Sequence, residues 1–356
     1  MKLRQTIIIG ALIVGLALLA LSCGTSQNKQ PYDAVSGFAS TNYTVPSSLL
    51  IPDSIRLDSD YKQYYMGDKI IFVGRKDSSY FALSLLYRRA LEDNKFKRAE
   101  RSFEGYLFDG RRWIFLTYTQ ARQDTTMLDP VLPFYFTNFR LNDKHTGGSI
   151  TYDRRDIKFE LKFENLAPVQ GFEQGENGRW VQAIGTGSFS YEGATINGTI
   201  YYQLVELEGY NPMADRGQIT NHINFNWLGL LTDSGGTLVT ASDTLTPNEQ
   251  LYKNFVAYND GDSTLYAEGA SLVRITSDDI RRDAKIGDYL ALRKELSVPD
   301  LNLQLVVDLT DDRFFSSYGY CFAIVRGSLE IAGQSQSVWG LLDHLQQPNS
   351  DSQVLR

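Results

Sequence analysis

The segment Ile157-Lys-Phe-Glu-Leu-Lys-Phe-Glu164 has an apolar residue at each odd position and a charged one at each even position. That period of two marks a strand with one face in a core and the other in water, because successive side chains of a pleated chain point to opposite faces. Leu301-Asn-Leu-Gln-Leu-Val-Val-Asp-Leu309 alternates in the same way. Phe103–Phe108 and Trp113–Tyr118, joined through Asp109-Gly110, read as a hairpin, since Asp-Gly suits a tight turn that needs positive φ. Comparable strand signals fill the chain from about residue 60 onward, roughly sixteen in all, against two short helix candidates at Ser277–Asp283 and Leu342–Gln347. So many closely spaced strands must hide their edges, and barrel closure or sheet-on-sheet packing does this most simply. The expected class is all-β.

Length bears on how many such bodies there are. At 356 residues the chain exceeds the usual single domain of about 100–200 residues. An internal echo agrees with two: Gly187-Ser-Phe-Ser-Tyr-Glu-Gly193 returns as Gly327-Ser-Leu-Glu-Ile-Ala-Gly333, each followed by another strand-like segment. The polar stretch from Glu208 to Gly217, broken by Pro212 and flanking glycines, separates the halves. The expected layout is a first barrel over residues 46–210 and a second over 211–356.

The N-terminus carries a different signal. Lys2 and Arg4 precede an apolar run from Ile7 to Leu21, which is short for a membrane span of about 20 residues and has the form of an export signal over residues 1–22. Ala20-Leu-Ser-Cys23-Gly24 then resembles the bacterial lipobox, in which small residues precede a cysteine that is lipidated and becomes the new N-terminus. Acyl chains, at about 0.8 kcal/mol per buried methylene, hold a soluble domain to a membrane without any spanning helix. Residues 23–45, polar and without apolar periodicity from Gly24 to Pro31, form the lipidated end and a flexible tether. The expected location is the cell envelope, anchored through lipid on Cys23 to the outer membrane of a Gram-negative bacterium.

Several features together carry a family resemblance. They are the early strand Tyr80-Phe-Ala-Leu-Ser-Leu-Leu-Tyr-Arg88, the aromatic hairpin through Trp113, and the Gly-x5-Gly hairpin in each half. The second half adds Asp215-Arg-Gly217, then Phe225-Asn-Trp-Leu-Gly-Leu-Leu231 and a Gly235-Gly236 turn. In these the chain resembles the bacterial two-domain lipocalin-like family that includes carotenoid hydratases of the hydroxyneurosporene synthase type. The resemblance implies two tandem lipocalin-like antiparallel β-barrels with an apolar cavity able to take a long hydrophobic molecule. It also implies an acidic residue and a His together before the Trp-bearing strand, and here the sequence departs. Asp215 is followed by Arg216, and the nearest imidazole, His222, is displaced. An ion pair between Asp215 and Arg216 would keep the acid ionised and useless as a proton donor.

Composition removes other classes. A net charge of −7 without basic runs disfavours a nucleic-acid surface, and two Cys with three His nearly exclude a structural zinc site. Neither a P-loop, a dinucleotide fingerprint nor a Gly-x-Ser-x-Gly elbow is present, so no metal or other cofactor is expected. Cys321, in the apolar run Tyr320–Ile324, reads as a small buried hydrophobe, with neither a His nor a cation close in sequence to activate its thiol. With 19 Phe, 21 Tyr and 4 Trp, barrel strands aim many rings inward, and Phe225, Trp227 and Tyr320 are the candidate ligand contacts. The favoured reading is a membrane-anchored protein that binds a hydrophobic small molecule, a lipid or isoprenoid, without catalysis. The alternatives are a hydratase or isomerase acting on a polyene through Asp215 and His222, and a surface scaffold for protein contacts.

Overall fold

The computed structural model describes residues 37–50, 63–92, 98–124, 132–173, 178–208, 225–242, 254–269, 272–273, 275–282, 289–315 and 320–345. All of them lie in one unit, Asp33–Arg356. Among these residues there are twenty strands and no α-helix. β1 (Phe38–Ser40) leads through a 3-10 turn at Ser47–Leu50 into β2 (Gln63–Lys76), β3 (Ser79–Glu92), β4 (Arg98–Phe108), β5 (Trp113–Asp124) and β6 (Leu132–Phe134). Then come β7 (Thr137–Leu141), β8 (Gly148–Arg154), β9 (Ile157–Glu173), β10 (Gly178–Tyr191) and β11 (Ala194–Glu208). The second half has β12 (Phe225–Thr232), β13 (Thr237–Ser242), β14 (Phe255–Asn259), β15 (Thr264–Glu268) and β16 (Ile275–Arg282). It ends with β17 (Tyr289–Val298), β18 (Leu303–Phe315), β19 (Tyr320–Ile331) and β20 (Gln334–Leu345).

The strands form two ten-stranded antiparallel sheets, ordered β5-β4-β3-β2-β11-β10-β9-β8-β7-β6 and β1-β15-β14-β13-β12-β20-β19-β18-β17-β16. Nine strands of each order repeat one another, with β6 of the first sheet and β1 of the second as unmatched ends. β11 corresponds to β20, β10 to β19, and β2, β3 and β4 to β12, β13 and β14. The Gly-x5-Gly echo lies at the same hairpin of each sheet. Its turns are Glu192-Gly193, with φ of 47° and 74°, and Ala332-Gly333, with φ of 51° and 79°. Two central residues at positive φ match the twist of the flanking strands, and glycine takes the second position without a Cβ clash. The chain is thus all-β with two tandem lipocalin-like barrels, each a curled sheet. In the first, Tyr152 on β8 donates a hydrogen bond to the carbonyl of Leu116 on β5 at 3.1 Å, drawing together strands far apart in the sheet order.

Alternation sorts the core into three layers. One face of the first sheet, with Ile70, Phe72, Leu85, Tyr87, Phe103 and Phe139, fills the first barrel. Leu228, Leu305, Val325 and Leu342 do the same in the second. A third cluster joins Ile71, Val73, Tyr106 and Tyr201 of the first sheet to Trp227, Phe255, Phe322 and Leu341 of the second. The barrels therefore pack outer face to outer face, and the strands of this seam are apolar on both sides. The stretches Ile157–Glu164 of β9 and Leu303–Leu309 of β18 lie away from it, and their even positions are partly or fully exposed.

Three sequence expectations change. Ser277–Asp283 falls largely in β16, where pairing with β17 in one continuous register overrides a weak local preference. Leu342–Gln347 begins within β20. There Leu341, Leu342, Asp343 and His344 are all buried, so a strand covered on both faces shows no alternation. The Asp109-Gly110 hairpin has a four-residue loop, Asp109–Arg112, in which the Asp109 carboxylate accepts from the N–H groups of Arg111 and Arg112, each at 2.9 Å.

Candidate functional site

Polar side chains in the seam are costly unless they are paired, so those present mark where the sequence departs from simple packing. The strand register places six residues in one row across the outer face of the first sheet. Gln170 on β9 is opposite Gln182 on β10, which is opposite Gln203 on β11. Gln203 is opposite Lys69 on β2, Lys69 opposite Leu86 on β3, and Leu86 opposite Glu104 on β4. Five inter-strand steps make this row about 24 Å long. The corresponding row of the second sheet is Phe322, Asp343, Trp227, Ala241 and Phe255. Its members replace Gln182, Gln203, Lys69, Leu86 and Glu104 respectively. Four of the five are apolar, so the shared fold does not require the charges of the first row.

The two rows meet. Lys69 pairs with the Oδ2 of Asp343, which is wholly buried. Trp227 donates its indole N–H to Gln182 Oε1 at 3.1 Å, and Gln203 donates to the same oxygen at 3.0 Å. Lys69 touching Asp343 and its counterpart Trp227 reaching Gln182 beside Gln203 give the seam an approximate two-fold character, like an isologous dimer interface within one chain. Gly229 permits the close approach, since a Cβ there would lie 2.9 Å from the ring of Tyr201, whose hydroxyl donates to the Leu230 carbonyl at 2.7 Å.

Toward β4 the seam holds a second charged group. Glu104 accepts from Arg88 at 2.9 Å and from the Tyr106 hydroxyl. Lys69, Ser84, Leu86, Glu104, Tyr106 and Phe322 line a small recess with room for about one water molecule. Burial pushes the Asp343 carboxyl above its ordinary range, Lys69 pulls it back, and the charge of Glu104 pushes it up again. Three of the buried side-chain atoms that lack a hydrogen-bond partner among the described residues belong to these two rows. Asp343 Oδ1 has no partner, and neither does the amide nitrogen or oxygen of Gln170, which is 1% exposed. Such groups cost about 1–3 kcal/mol each when left unmade.

Of the residues singled out from sequence, Trp227 is buried and faces the seam rather than the second barrel's interior. Phe225 and Tyr320 lie on β12 and β19, both opposite Leu345 of β20, one on each flank. Cys23, Asp215 and His222 lie outside the described residues. Cys321 is buried, as expected. Sequence reading missed Lys69, Glu104, Gln170 and Asp343. The available signal was a charge within or beside an otherwise unbroken apolar run, as in Lys69-Ile-Ile-Phe-Val73 and Leu341-Leu-Asp-His344.

No protein-family model matches the chain, and no curated protein sequence does. Solved structures share its fold. An AttH candidate from Nitrosomonas europaea is 12% identical with a TM-score of 0.53, over 85% of this chain and 96% of that one. Kievitone hydratase from Nectria haematococca is 12% identical with a TM-score of 0.50, over 87% of this chain and 98% of that one.

Proposed function

We propose that this protein binds an apolar small molecule, a lipid or isoprenoid carrying an uncharged polar group, at the seam between its barrels. The carrying observation is the unpartnered Gln170 amide together with Asp343 Oδ1, buried hydrogen-bonding groups set among aromatic and aliphatic side chains. Each cation of the site already faces a carboxylate, Lys69 with Asp343 and Arg88 with Glu104. An anionic head would have to be desolvated against both acids, whereas a hydroxyl or carbonyl would not. Lipid on Cys23 holds the protein to the outer membrane, close to the source of such a molecule, and catalysis is not part of this reading. A native mass spectrum of protein purified from its host envelope should show one bound neutral lipid-like mass, reduced in the Gln170→Leu variant. A spectrum of bare protein would overturn the proposal.

A second reading, a hydratase or isomerase acting on a polyene, has one observation in its favour. Burial in apolar surroundings raises the proton affinity of the Asp343 carboxyl, the direction that a donor to an alkene carbon needs, while Lys69 beside it opposes the shift. On this reading Asp343 takes the role that sequence assigned to Asp215. Turnover of a polyene that Asp343→Asn abolishes would support it, and an inactive parent protein would end it.

A further inference from the structure

The second barrel holds a separate row of reactive side chains. Cys321 on β19 is opposite His344 on β20, and His344 is opposite Asn226 on β12. Residues in register share a face, and this one is the barrel interior. Cys321 belongs to the second core, and Asn226 and His344 keep step with Leu228 and Leu342 of that core on their own strands. All three are at least 98% buried. Inter-strand spacing puts their Cα atoms about 5 Å apart in the order Cys321, His344, Asn226. No such chemistry was visible in the sequence, where Cys321 and His344 are distant.

Comparison with the first barrel shows that the fold does not need the thiol or the imidazole. The corresponding row there is Val181, Leu204 and Asp68, linked by the same register, with Val181 and Leu204 wholly buried. An imidazole where the fold accepts leucine carries a desolvation cost without a packing reason. The row lies at the end of the barrel where its strands stop. Cys321 is the second residue of β19, His344 the penultimate of β20 and Asn226 the second of β12. Around it the lining is apolar, with Leu228, Ala323, Val325 and Leu342, and the buried Lys294 on β17 is a further cation of the barrel.

We propose that Cys321 and His344, with Asn226 as a positioning residue, form a covalent capture site for apolar α,β-unsaturated carbonyl compounds. An imidazole beside a thiol takes its proton and leaves the nucleophilic thiolate. Cys321 Sγ then bonds to the β-carbon, and the π pair moves through the α-carbon to the carbonyl oxygen as an enolate. The His344 imidazolium returns the proton to the α-carbon. Nothing is oxidised, no group leaves, and no co-reactant is consumed. The apolar lining selects a hydrocarbon-bearing acceptor over a small hydrophilic one.

The test treats the full chain with oct-1-en-3-one at pH 7 and follows the mass of the Cys321 peptide with time. The folded protein should gain one adduct at Cys321, and His344→Gln should slow it about tenfold. His344→Leu, the first-barrel residue at that position, serves as a second variant if His344→Gln fails to fold. Asn226→Ala should lower the rate and shift its pH profile upward, a change that a merely structural role would not produce. Labelling of Cys321 only after urea unfolding would overturn the proposal. So would an unchanged rate in a folded His344 variant.

Discussion

Lys69→Met isolates the buried pair that joins the two sheets. It leaves the wholly buried Asp343 beside Glu104 without the ammonium that balances it. Breaking a buried pair from one side costs about 3–5 kcal/mol, because an uncompensated charge stays behind. Lys69 keeps 13% of its side chain exposed, which places the loss toward the low end, about 3 kcal/mol at pH 7. The pH dependence has a definite sign. Asp343 is raised above 3.8 in the folded state. Its contribution to stability is therefore full below the unfolded value and is lost as the pH rises through the folded one. Removing Lys69 raises the carboxyl further, so the loss in Lys69→Met should be small near pH 4 and grow toward pH 7. Replacing both partners, as Lys69→Met with Asp343→Leu, removes the desolvation cost along with the attraction and should restore parental stability or exceed it. Urea unfolding followed by tryptophan fluorescence at both pH values, for each single variant and the double, measures all of this. A Lys69→Met loss below about 1 kcal/mol, or singles that simply add in the double, would refute the buried pair as the joint of the seam.

Other perturbations probe separate parts of the structure. Gln170→Leu removes an unsatisfied buried amide and should raise stability by about 1–2 kcal/mol in thermal unfolding of ligand-free protein. A loss of that size would show that Gln170 has a structural partner. Tyr201→Phe, which deletes the hydrogen bond to the Leu230 carbonyl, should cost about 1–2 kcal/mol in the same assay. Gly193→Val and Gly333→Val force a branched residue to φ of 74° and 79°, and each should cost more than about 1 kcal/mol. Cys23→Ser should abolish incorporation of labelled palmitate and release the protein from the membrane fraction, and retention of label would remove the lipid-anchor assignment.

Much of the fold was legible because strands that face water on one side announce themselves. β9 alternates over Ile157–Glu164 and β18 nearly so over Leu303–Leu309, and the Gly-x5-Gly echo marks a hairpin that recurs in both sheets. The seam was harder to read for the opposite reason. Strands buried on both faces, such as β2 at Ile70–Val73, show no period, and β20 looked helical at its end. The charges of the site hid in those same runs, since Lys69 and Asp343 are far apart in sequence and the register alone brings them together. The Cys321–His344 pair was invisible for the same cause. Trp227 was singled out as a ligand contact, yet the face it occupies follows only from pairing with β20.

The central claim is that a ligand sits between the barrels rather than inside one. Photo-crosslinking with a long-chain alcohol carrying a diazirine, mapped to single residues, tests this directly, because neighbouring positions on one strand face opposite sides. The expected modifications fall on Ser84, Leu86, Tyr106 and Phe322, competed by unlabelled alcohol and lost in Asp343→Leu. Saturable modification confined to Leu83, Leu85, Phe103 and Leu107, which face the interior of the first barrel, would contradict it.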